Sequence, residues 1–136
     1  MLVIITNNPL IKETYGSTYT VDYEALSYDD ILMKIRDAVH RGASVLTHPL
    51  YGSVKPKETP YRSVLMDMRE GPVDMDSLLL IEQTIASAGK FPNKSAGYDE
   101  GTLNDCRVID LSLLQGALGS MQSPPCDFEK EVTETR

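Results

Sequence analysis

Cysteine and histidine are scarce: two of each stand in 136 residues, and tryptophan is absent. Cys106 and Cys126 are too few for a disulfide framework and show no C-x-x-C or Cys/His ligand spacing, so both read as free thiols of a reducing compartment. His40 and His48 fall in different predicted elements, which leaves no metal site to expect. Basic residues are also in deficit, 13 Lys and Arg against 20 Asp and Glu, for a formal net charge of −7. A chain of that sign lacks the dominant basic face of a nucleic-acid binder. Long apolar runs are missing as well. Leu2–Ile5 and Leu78–Ile81 fall far short of the ~18 residues of a membrane span. No basic segment and small-residue cleavage site mark a secretory leader, so a cytoplasmic location is expected. What remains is ordinary for a folded protein: 41% hydrophobic and 24% charged residues, at a length that suits one domain.

Strand-like and helix-like segments alternate along the chain. Met1–Thr6 (MLVIIT) is a β-branched apolar run that predicts a strand buried on both faces. Asn8 and Pro9 predict a helix cap and first helical residue, for a short helix to about Tyr15. Thr18–Tyr23 predicts a second strand. Ser27-x-x-Asp30 resembles a capping box, and Ile31, Leu32, Ile35, Ala38 and Val39 then form one apolar helix face, ended by Gly42. Ala43–Thr47 predicts a third strand and Ser63–Met68 a fourth. Between them, residues 48–62 hold three prolines and little periodicity, the mark of a functional or mobile connection. Asp74 caps a third predicted helix carrying Leu78, Ile81, Ile85 and Ala88. Phe91–Asp105 reads as a surface loop, Arg107–Leu111 as a fifth strand, and Ser112–Leu118 as a short helix stopped by Gly119.

This order predicts a three-layer α/β/α sandwich with about five mainly parallel strands, Rossmann-like or flavodoxin-like, as a single domain over residues 1–119. Residues 120–136, with Pro124-Pro125 and a net charge of −2 over Asp127–Arg136, predict a flexible acidic tail.

In an open sheet of this kind ligands sit beyond the carboxyl ends of the strands, where strand order reverses. If the second and third strands flank the first, Asn7 and Asn8 meet Thr47 and His48 at that point, and the 48–62 connection starts there. Lys55, Lys57 and Arg62 against Glu58 give residues 49–62 a net +2 inside an acidic chain. Such a patch near free helix N–H groups suits a small carboxylate or phosphate, and Gly52-Ser53 lets backbone approach it. The expected ligand set is therefore Asn7, Asn8, Thr47, His48, Gly52, Ser53 and Lys55.

His48 and Asp110 are the catalytic candidates, as general acid or base and its carboxylate aid. Plainer readings stand beside these. Asn8-Pro9 is a helix cap, His48 before Pro49 ends a strand, the lysines solvate a loop, and Asp110 caps the last helix. Tyr51 and Tyr61 cover the sheet edge. There is no G-x-x-x-x-G-K-[ST] loop, no G-x-G-x-x-G fingerprint and no G-x-S-x-G elbow. No cofactor is indicated, and a triad drawn from Ser53, His48 and Asp110 has no motif behind it.

Three segments, IITNNPLIKE, LTHPLYGSVKPKETPYRS and SLLLIEQTIASAGKF, together resemble GrdX. This is a small protein family encoded beside the components of the glycine, sarcosine and betaine reductase system of amino-acid-fermenting anaerobes. The resemblance spans residues 1–91. It implies that genomic setting, a cytoplasmic location and reductase components as partners, and it carries over no catalytic residue or cofactor. The leading expectation is an accessory protein that binds a small anion or a protein partner at the sheet edge. The rival is a small-substrate transferase or hydrolase using His48. A third reading makes Leu50, Tyr51 and Tyr61 a homo-oligomer interface.

Overall fold

The computed structural model describes residues 1–48, 58–92 and 94–122. Strand β1 (Leu2–Thr6) leads into helix α1 (Pro9–Tyr15), strand β2 (Thr20–Tyr23) and helix α2 (Tyr28–His40). Strands β3 (Ser44–Val45) and β4 (Ser63–Asp67) follow, then helix α3 (Met75–Ala88), a 3-10 turn (Lys94–Gly97) and helix α4 (Glu100–Gln122).

Local chemistry accounts for the helix starts. Asn8 Oδ1 accepts from the Leu10 N–H at 3.0 Å, with Pro9 at the first helical position. Ser27 Oγ accepts from the Asp30 N–H at 3.1 Å and opens α2. Ahead of α3, Asp74 accepts from the Ser77 hydroxyl at 2.7 Å, and that hydroxyl accepts from the Val45 N–H at 2.9 Å. The start of α3 is thereby tied to the edge strand β3.

The four strands lie in the order β2-β1-β4-β3. β1 pairs with β2 in parallel, while β4 runs antiparallel to both β1 and β3. The sheet is therefore mixed and four-stranded, not five-stranded and mainly parallel, and it lacks the Rossmann-like order expected. The cause is that an apolar run signals burial on both faces but not direction. Val64, Leu65 and Met66 are buried as they would be in a parallel strand, yet the strand slots between β1 and β3 in the opposite sense.

The expected fifth strand, Arg107–Leu111, lies inside α4, and so does part of the segment read as a surface loop. Asp99 starts this helix: its carboxylate accepts from the Thr102 N–H at 2.8 Å. Those hydrogen bonds hold the Asp99 carboxyl below its ordinary value. Cys106, Asp110, Leu114 and Leu118 then recur at every fourth residue and are all buried. The helical period is hidden in the sequence because one of the four is an aspartate. Gly119 does not stop the helix, which runs on to Gln122. The acidic tail expected beyond it lies outside the described residues.

Alternation along the central strands divides the core. Val3, Ile5, Val64 and Met66 face Ile31, Leu32, Ile35 and Val39 of α2 and Ile81 and Ala88 of α3. Ile4 and Leu65 face Ile11 of α1 and Leu114 and Leu118 of α4. Helices thus cover the sheet on both sides, and β1 is buried from Val3 onward. Among the described residues no helix is long and apolar enough to cross a membrane.

Where α2 ends, Gly42 has φ +115° and packs on Gly71, whose φ is +139°. A Cβ on Gly42 would stand 2.8 Å from the Gly71 nitrogen. Gly42→Ala is expected to cost about 1–3 kcal/mol through backbone strain and this clash. A lower urea midpoint with an unchanged slope checks it.

Candidate functional site

Because β1 and β3 both oppose β4, the carboxyl ends of β1 and β3 and the amino end of β4 share one edge of the sheet. Asn7 and Asn8 follow β1, Thr47 and His48 follow β3, and Arg62 precedes β4. β4 stands between β1 and β3, so the direct β1/β3 crevice expected does not form. Gly52, Ser53 and Lys55, with Leu50, Tyr51 and Lys57, lie outside the described residues.

Asn7 is buried and acts as a clasp. Its Nδ2 donates to the Leu26 carbonyl at 2.9 Å and the Pro60 carbonyl at 2.7 Å, and its Oδ1 accepts from the Arg62 N–H at 2.8 Å. The side chain so joins the end of β1, the entry to α2 and the entry to β4. Asn8, besides capping α1, reaches α4: its Nδ2 donates to the Arg107 carbonyl and to Asp110 Oδ2, each at 3.0 Å. Both amide protons of each asparagine are therefore engaged by the protein. They position the site and leave no amide proton for a ligand. Thr47 is likewise engaged, its Oγ1 accepting from the Leu65 N–H at 3.0 Å. That bond prolongs the β3–β4 ladder with a side chain, beyond the two residues that pair as strand. His48 is exposed.

Beneath the edge lies a buried polar chain. Ser63 Oγ donates to Asp110 Oδ2 at 2.7 Å, and Thr6 Oγ1 stands 2.6 Å from Ser63 Oγ. With the serine proton on Asp110, Thr6 is the donor in that second contact, and its own oxygen accepts from the Asn8 N–H at 2.9 Å. Asp110 is 2% exposed and its Oδ1 has no hydrogen-bond partner. Burial pushes its carboxyl above the ordinary range, against the opposing pull of Ser63, Asn8 and the positive charge of Arg62. Arg62 is fully buried, with its guanidinium carbon 5.6 Å from the centre of the Tyr28 ring.

The amino end of α4 grips the segment leading into β4. Arg107 Nη1 donates to the Tyr61 hydroxyl at 2.8 Å, stacks over the same ring, and pairs with Glu100. Tyr98 donates to the Glu58 carbonyl at 2.9 Å, and Lys94 lies 3.5 Å from the Glu58 carboxylate. Tyr61 thus packs against α4 through Arg107.

The structure unites Asn7, Asn8 and Asp110 in one network. His48 is exposed, while Asp110 is buried and bonded to Ser63 and Asn8. Thr6, Arg62 and Ser63 are the members that sequence reasoning missed. Arg62 counts there only as loop charge, although a basic residue immediately before a buried strand is the signal available. Ser63 reads only as the first residue of that strand. No group of three or more metal-binding side chains occurs among the described residues.

These features define a mixed α/β domain whose buried polar groups gather at one edge of a four-stranded sheet. The chain belongs to the GrdX-like family, whose model matches residues 3–119. No match was found among curated proteins or among solved structures.

Proposed function

We propose that this GrdX-like protein is a non-catalytic accessory protein of the glycine, sarcosine and betaine reductase system, cytoplasmic, and that it holds a small anionic ligand at the edge formed by β1, β3 and β4. One observation carries the reading: a guanidinium, Arg62, is fully buried under that edge in a chain of net charge −7. Burying a cation is costly, and its field at the edge favours an anion. Asp110 stands within that field, and its own burial favours the neutral carboxyl. His48 supplies a ring N–H donor, and Lys55 adds charge from the connecting segment. Asn7, Asn8 and Thr47 are positioning residues. The same engagement of hydroxyl and amide groups supports a binding role over catalysis, since Ser63 is bonded to Asp110 but fully buried.

Thermal-shift measurements with glycine, betaine, phosphate and nucleotides test this. A ligand held at 100 times its dissociation constant should stabilise the chain by about 2.7 kcal/mol. The shift should shrink in His48→Ala and Lys55→Ala. No stabilisation by any of the four, or an undiminished shift in both variants, would overturn the reading.

A further inference from the structure

The opposite end of the sheet carries a second feature. It lies roughly 17 Å away along β1, at about 3.3 Å per residue. There Met1, Ala38, Arg41, Met68, Arg69 and Glu70 line a cavity of about 280 Å³. Its lining is mostly apolar, with Ala38 buried and Met68 half-buried.

The two arginines differ. Arg69 is engaged, donating to the Ser44 hydroxyl, with its Nε 3.9 Å from the Asp67 carboxylate. Arg41 is anchored by its backbone alone: it ends α2, and its carbonyl accepts from the Gly71 N–H at 3.2 Å. Its guanidinium makes no ion pair with any described residue. The wall carrying Arg41 is held in place by the close packing of Gly42 on Gly71. A concave, mostly apolar surface is therefore bounded by Arg41, Arg69 and Glu70, and of the two arginines Arg41 makes no ion pair with a described residue.

We propose that this cavity binds a small organic monocarboxylate, with its carboxylate on Arg41 and its hydrocarbon body on Ala38 and Met68. Guanidinium groups match carboxylates in planar, two-point geometry. The side chains of the lining, Arg41 and Arg69 against Glu70, sum to one positive charge, which calls for one negative charge and disfavours a dianion such as phosphate. The volume equals that of roughly nine waters at about 30 Å³ each, enough for a chain of a few carbons and too small for a nucleotide.

Titration of the full-length chain with acetate, butyrate, hexanoate, 1-hexanol and inorganic phosphate, followed by NMR or calorimetry, tests it. Hexanoate should bind with a dissociation constant on the order of 1 mM. Affinity should rise severalfold from acetate to butyrate and again to hexanoate, as buried methylenes accumulate. Arg41→Gln should weaken hexanoate at least fivefold while leaving the melting temperature unchanged, and His48→Ala should leave hexanoate binding as it is. Hexanol or phosphate binding as tightly as hexanoate would overturn the proposal. So would an absent chain-length trend, or full affinity in Arg41→Gln. Loss of hexanoate binding in His48→Ala would move the site to the other edge and overturn it too.

Discussion

Arg62→Met is expected to lower stability by about 3 kcal/mol at pH 8, roughly 10 °C in melting temperature, and by much less at pH 5. Methionine keeps an unbranched apolar stem, so little packing is lost and the change is mainly one of charge. The charge matters because of Asp110. Its carboxyl is raised from the ordinary 3.8 by burial and held down by Ser63, Asn8 and Arg62. Removing the guanidinium lets it rise further. A carboxyl whose folded value exceeds its unfolded value binds its proton more tightly in the native state. Its contribution to stability is greatest below the unfolded value and declines as pH climbs to the folded one. The variant widens that window upward, so its deficit against the parent grows with pH. Urea unfolding at the two pH values checks this. The double variant Arg62→Met/Asp110→Asn should be more stable than Arg62→Met at pH 8, because no unpaired charge stays buried. A deficit independent of pH, or a double variant weaker than the single at pH 8, would show that the two groups are not coupled.

Local signals carried most of the elements. Caps at Asn8 and Ser27, and a regular apolar face on α2, placed two helices correctly because these features act within a turn or two of chain. The carboxyl end of β1 was legible for the same reason, since Asn7-Asn8-Pro9 announces both a strand end and a helix start. Sheet order was not legible. The side chains of β4 must be apolar on both faces whichever way the strand runs, and only pairing with β1 and β3 sets its direction. Helix α4 was lost to a single residue: Asp110 occupies a position where the period demands an apolar side chain. That polar residue is buried only because Asn8 and Ser63 arrive from elements about a hundred and about fifty residues away, with Asn8 at 102 and Ser63 at 47 positions' separation. The feature that broke the helical pattern is thus the centre of the candidate site. Local rules fail where a tertiary network, rather than propensity, decides what a position tolerates.

Asn8→Asp isolates that network from the helix cap. Aspartate caps as well as asparagine, and its Oδ1 retains the bond from the Leu10 N–H. What changes is the other atom. An oxygen replaces Nδ2, so two donated bonds, to the Arg107 carbonyl and to Asp110 Oδ2, become oxygen–oxygen contacts at about the present 3.0 Å. Two carboxyls at that separation cannot both ionise, and the pair must keep a proton. The variant is expected to lose about 3 kcal/mol or more at pH 8 and to recover part of it at pH 5, where that proton binds readily. Asn8→Ser supplies the contrast. It keeps a capping oxygen and removes both bonds to α4 without adding charge, for a loss of about 1–2 kcal/mol that also grows with pH, because Asp110 loses a donor that lowers its carboxyl, but by less than in Asn8→Asp. Amide hydrogen exchange should show where the damage falls. Asn8 helps to fasten α1 to α4, so protection should drop first around Leu114 and Leu118, while the Ile31–Val39 face of α2 keeps its own, being buried on the other side of the sheet. Equal loss of protection on both faces would mean that α4 is not separable from the rest of the fold, and that the polar chain from Thr6 to Asp110 supports the whole sheet rather than one helix.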